Sequence, residues 1–145
     1  MNIRRMAIAI ALLAAGCAAQ GPSYERAYAP PNNAIIYVYR PYSFFGSLMR
    51  PEVRCGTESA VIRPGGYHTF VVPAGEKVVC HVHTETADEV DIDAEPRVYY
   101  IREQINWGLV VGRPQLNPMD TDQAQAEIQT CCVEEEPKSP ALSQP

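Results

Sequence analysis

The sequence is short of positive charge. Its 145 residues hold 12 Lys and Arg against 17 Asp and Glu, a net charge of −5. No basic cluster is present, which excludes the phosphate-tracking surface that nucleic-acid binding needs. It also excludes a polybasic patch for anionic lipid headgroups, so any membrane attachment must be covalent. Beyond the first 16 residues there is no hydrophobic run long enough for a transmembrane helix. Catalytic signatures are missing as well. The chain has no Gly-x-Ser-x-Gly elbow, no phosphate-cradling glycine loop, no His-Glu-x-x-His and no isolated carboxylate pair. Nothing pairs a nucleophile with a base, so no enzymatic activity is expected.

What is present reads as one small β-rich domain. Hydrophobic residues make up 46% of the chain, enough for a modest core, while 13 Pro and 9 Gly imply many turns. The organising stretch is Gly65 to Gly75, where turn residues at both ends enclose a strand over 67–72. The strongest strand signal is Ile35-Ile36-Tyr37-Val38-Tyr39, ended by Arg40-Pro41. Further strands are predicted over 52–55, 59–63, 77–84, 89–94 and 97–104, with 105–111 as an eighth or a bent extension of the seventh. Such short, turn-separated strands predict a small antiparallel β-sandwich of seven or eight strands. Tyr37, Tyr39 and Trp107 are expected to contribute to burial. One short C-terminal helix is expected, capped by Asp120 or Asp122, with Ala124, Ile128 and Cys131 or Cys132 on one face. The domain is therefore drawn over 34–132, with a disordered tail over 133–145.

The N-terminus reads as a targeting segment. A basic start through Arg5 precedes an apolar run over 6–15, too short to remain as a membrane span. Ala14-Ala15-Gly16-Cys17 follows and resembles the lipobox of bacterial lipoproteins, which makes 1–16 a signal peptide and Cys17 the acylated residue. It departs from that pattern at Ala14, where Leu is commoner. The resemblance, with Ala18 rather than Asp after the cysteine, implies anchoring in the outer membrane, facing the periplasm. The alternative is an ordinary secretory signal cut near Ala19. Without Arg4 and Arg5 the balance is 10 basic against 17 acidic residues, or −7. Residues 17–33 read as a flexible tether, about 50 Å long if extended.

The 35–41 run, Gly66-Tyr67, Pro73-Ala74-Gly75 and Tyr99-Tyr100-Ile101-Arg102 together resemble a family of bacterial envelope lipoproteins with a small all-β domain of unknown function. The resemblance covers roughly 34–130 and rests on turn and core residues. It implies a fold and no catalytic or binding residue. Cys55-Gly56 stands where the family is expected to carry an Asp-Gly turn, which implies an added disulfide.

Four cysteines besides Cys17 allow three pairings. Cys55 and Cys80 alternate with valines that mark the inward face, so a Cys55–Cys80 bond is feasible, contributing about 3 kcal/mol. A bond from Cys80 to Cys131 or Cys132 competes with it. The adjacent Cys131 and Cys132 are not expected to pair with each other. His81 and His83 share one strand face, and His68 on the preceding strand could join them as a Zn²⁺ or Cu²⁺ set. Glu89, Asp91, Asp93 and Glu95 share one face and read as a solvated row, with Ca²⁺ as the other use. Tyr42, Phe44 and Phe45 either plug the end of the sandwich or bind a protein or glycan partner. Two functions are carried forward. One is a non-enzymatic lipoprotein, without cofactor other than its lipid, that binds or supports an unidentified envelope component. The other is a periplasmic metal-binding module built on His81 and His83.

Overall fold

The computed structural model describes residues 19–135. Cys17, the signal peptide and residues 136–145 lie outside the described residues. The elements are β1 (Asn33–Arg40), β2 (Glu52–Cys55), β3 (Glu58–Val61), β4 (Gly66–Pro73), β5 (Lys77–His83), β6 (Ala87–Asp93), β7 (Val98–Asn106), β8 (Arg113–Met119), α1 (Thr121–Cys131) and β9 (Val133–Glu134).

β1 explains the layering. Every residue after Asn33 is buried, on both faces of the strand. Ala34, Ile36 and Val38 enter the core between two sheets, while Ile35, Tyr37 and Tyr39 face a second apolar cluster on the other side. β1 is thus central in a five-stranded sheet of order β8-β7-β1-β4-β9, facing a four-stranded sheet of order β3-β2-β5-β6. The protein is a small mainly-β sandwich with one C-terminal helix. Its pairings are antiparallel except β1 with β7 and β4 with β9, which are parallel. The chain between β1 and β7 travels through the facing sheet, and this crossover lets β7 return beside β1 in the same direction.

The inner core centres on Ile36, Val53, Phe70, Val82 and Ile101, all almost fully buried. Cys55 and Cys80 sit directly opposite each other on β2 and β5 and are bonded, with Cα atoms 4.1 Å apart. The strand alternation that placed both cysteines inward is the one observed. The other pair is Cys131–Cys132, a bond between neighbours that was not expected. The helix ends there. Cys132 closes it through its N–H on the Ile128 carbonyl and is itself in extended backbone. That change of conformation between the two residues lets the sulfurs meet.

Several boundaries differ from the expectation. Residues 19–29 form a strap on the sheet and not the flexible tether that their composition predicts. Tyr24 is buried edge-on against Tyr37 and Tyr67, and its hydroxyl meets that of Tyr100 at 2.8 Å. The outward aromatic face of β1 and β4 needs cover, and Tyr24 supplies it although the segment has no periodicity. The Glu134 N–H donates to the Pro22 carbonyl, and Glu135 is buried on the Arg63 side chain at 2.8 Å, so 133–135 belong to the domain. β8 passed unread because it carries Pro114 and Pro118. It is an edge strand, where proline is tolerated.

Asp120 is the helix cap, accepting from the Asp122 and Gln123 N–H groups, and Ala124 and Ile128 are the buried residues. Glu127 ties the helix down by accepting from Tyr39 Oη at 2.8 Å and Arg102 Nε at 3.0 Å. Desolvation and the Glu127 carboxylate both raise the Tyr39 pKa, so this hydroxyl remains a donor.

Candidate functional site

Strand direction gathers a set of loops at one end of the sandwich. β1 and β7 end there, at Arg40 and Asn106, while β4 and β8 begin there. The loops 41–49 and 107–112 therefore leave the same end. The 84–86 turn of the facing sheet joins them, because Thr84 Oγ1 donates to the Gly112 carbonyl at 2.6 Å.

Arg40 builds the first loop. Its guanidinium is buried and donates to the carbonyls of Gly46 at 2.5 Å, Met49 at 3.0 Å and Ile62 at 3.1 Å. Loop 41–49 is thus wound around one charge. Desolvation lowers the Arg40 pKa, and Glu103 acts in the opposite direction. Gly46 has φ 74°, and a Cβ there would stand 2.7 Å from the Ile105 Cβ, so glycine is required for the loop to lie on β7.

Glu85 builds the second loop. Its carboxylate accepts the N–H groups of Leu109 at 3.0 Å, Val110 at 3.2 Å and Val111 at 3.2 Å. Those bonds hold its pKa below the usual carboxylate range, with a smaller contribution from Arg113. The two loops meet where Phe45 stacks on Trp107, ring centroids 4.0 Å apart, and where the Gly112 N–H points at Met49 Sδ.

The result is a fixed apolar crest. Tyr42, Phe44, Leu48, Trp107, Leu109, Val110 and Val111 are all exposed, Phe44 at 90% and Val110 at 91%. Of the sequence candidates, Phe45 packs while Tyr42 and Phe44 project. Trp107, expected to be buried, is 80% exposed. Reading 105–111 as strand concealed the second half of the crest. The signal available in the sequence was Gly108 and Gly112, turn residues that interrupt a strand; in the fold a Cβ on Gly108 would collide with the Val111 carbonyl.

Beneath the crest lies Glu103, which the sequence reading passed over. It is 1% exposed, and neither carboxylate oxygen has a hydrogen-bond partner among the described residues. Burial pushes its carboxyl up to about 7 against the pull of Arg40. Both residues line a partly open pocket of about 320 Å³, together with Tyr42 and Phe45.

The other candidates are dispersed. His81 and His83 are exposed on the outer face of β5. His68 is on β4 in the opposite sheet and bonds Glu58 at 2.8 Å, so it does not join them. The segment at 73–76 crosses between sheets and is not the hairpin that would have brought His68 near. Glu89, Asp91 and Asp93 do face outward together, and Lys77 pairs with Asp91 at 2.7 Å. Among the described residues no group of three or more His, Cys, Asp or Glu is arranged to hold a metal ion. Cys55, Cys80, Cys131 and Cys132 are all taken up in disulfides. Comparison with known proteins finds no matching family model, no similar curated protein and no similar solved structure.

Proposed function

We propose that the chain is a lipoprotein anchored in the cell envelope through an acylated Cys17, with a non-enzymatic β-domain that holds another envelope component through its apolar crest. The observation that carries this reading is the crest. Large apolar groups gathered on two braced loops are a binding surface by composition, since exposed apolar patches of this kind mark interaction sites. Support for the anchor comes from Gly16-Cys17 after a short apolar run. Outer-membrane placement belongs to the same proposal.

The test is fractionation with mass spectrometry. Wild-type protein should carry acyl chains on Cys17 and sediment with membranes, and Cys17→Ser should carry none. A wild-type chain without lipid would overturn the reading.

A further inference from the structure

The crest and Ala19, the first described residue, share one end of the molecule. The Ala19 N–H donates to the Pro64 carbonyl at 3.1 Å, and the Gly65 N–H donates to the Arg40 carbonyl at 2.7 Å. Arg40 leads directly into loop 41–49. Gly66, next to Pro64 and Gly65, begins β4, and β4 is two strands from β7, or about 10 Å across the sheet. Only two peptide units separate Cys17 from Ala19, a reach of about 7 Å. A lipid on Cys17 would thus leave the protein beside the loops that carry Phe44, Trp107, Leu109 and Val110.

We propose that the crest inserts into the interfacial layer of the same bilayer that holds the anchor. The proposal rests on the lipoprotein reading and names the envelope component as membrane lipid. With the strap at 19–29 packed on the sheet, little chain is left to lift the domain away from the surface, so the end bearing Ala19 faces the membrane.

The chemistry of the crest suits that layer. Trp107 and Tyr42 are the side-chain types that favour the headgroup boundary, and Phe44, Leu48, Leu109 and Val110 suit the acyl region beneath it. Backbone amides without partners are costly where water is scarce. The N–H groups of Leu109, Val110 and Val111 already have the Glu85 carboxylate, which sits behind the tips. Arg50 and Arg113 flank the loops, Arg50 donating to the Ser47 and Met49 carbonyls and Arg113 pairing with Glu85 at 3.6 Å.

Trp107 is the single tryptophan of the chain and therefore reports on the crest alone. The test uses the mature chain from residue 17 with Cys17→Ser, which removes the lipid, mixed with vesicles of phosphatidylethanolamine and phosphatidylglycerol. Trp107 emission should shift to the blue, become shielded from acrylamide and be quenched by lipids brominated along the chain. Leu109→Ser with Val110→Ser should weaken partition by about ten-fold with an unchanged melting temperature, since both side chains are exposed. Emission that stays open to acrylamide at saturating vesicle concentration would overturn insertion. So would shielding without vesicles accompanied by a doubled mass, which would assign the crest to a second copy of the chain. An unlipidated wild-type protein from cells would sink the anchor even if vesicles bind, and an acylated one whose Trp107 stays exposed would sink insertion alone.

Discussion

The two ends of the sandwich are built on opposite principles. At the end of Arg40 and Asn106, two of the connections, 41–49 and 107–112, are long, apolar outside and braced from within by charge. Arg40 holds loop 41–49 through three carbonyls, and Glu85 holds 107–112 through three amides. At the opposite end the connections are short and polar. Gly75 has φ 93° and donates to the Ala94 carbonyl, the Ala74 N–H donates to Asn32, and Glu95 pairs with Arg97 at the surface. One end closes the fold with backbone bonds and turn residues. The other spends two charged side chains on displaying hydrophobic groups to the outside. The difference teaches that the crest is a constructed surface, because a loop needed only to connect strands has no use for such bracing.

Removing the brace should give the largest effect. Arg40→Ala leaves three carbonyls without their donor and Glu103 without its cation, and is expected to cost about 3–5 kcal/mol. Denaturant unfolding measures it, and crest proteolysis should rise in parallel. Cys55→Ala strengthens the comparison from the other side. It removes a staple in the facing sheet, near the short-turn end, and should cost about 3 kcal/mol. Reductant should have no further effect on that bond in the variant, and the crest should be unchanged by Trp107 emission.

Glu103 gives a pH signature to the crest end. Its carboxyl is raised to about 7, above the ordinary value in the unfolded chain. The folded state therefore binds the proton more tightly. The contribution of this group is fully present below about pH 4.5 and is lost as the pH rises through 7. Glu103→Gln should remove that dependence and stabilise the protein at pH 8 by up to about 3 kcal/mol. Thermal melts of both forms between pH 5 and 8 decide it.

The smallest effect is expected at Glu85. Its pKa is depressed, so its contribution is present above the unfolded value and is lost as the pH falls through the folded one. Glu85→Gln should leave the global fold in place and speed hydrogen exchange at the Leu109, Val110 and Val111 amides, read residue by residue by NMR.

Local patterns in the sequence located much of this fold. The alternation over 77–83 placed Cys80 inward and His81 outward, and the valines beside Cys55 and Cys80 marked both as inward, which made their pairing feasible beside a competing bond to Cys131 or Cys132. The cap was legible as Asp120 or Asp122, because a cap depends on residues two and three positions away, and it is Asp120. What escaped was set by distant partners. Tyr24 is buried because of Tyr37, Tyr67 and Tyr100, none of them near it in the chain. Pro114 and Pro118 hid β8, whose pairing is decided by its place at an edge. Half of the crest was visible in Tyr42, Phe44 and Phe45. The other half, after Asn106, has the apolar composition of a strand, and its conformation is set by Glu85, 24 to 26 residues away in the chain, which gathers its amides.

On the proposed reading the crest end, and not the short-turn end, meets the membrane. That orientation is tested most directly by comparing two tryptophan positions in acylated protein on vesicles. One is native Trp107. The other is created at the opposite end by Glu76→Trp in a Trp107→Phe background, Glu76 being exposed in the turn before β5. Brominated lipids should quench the first strongly and the second not at all, while acrylamide should do the reverse. Equal quenching at both ends, or stronger lipid quenching at position 76, would contradict the account.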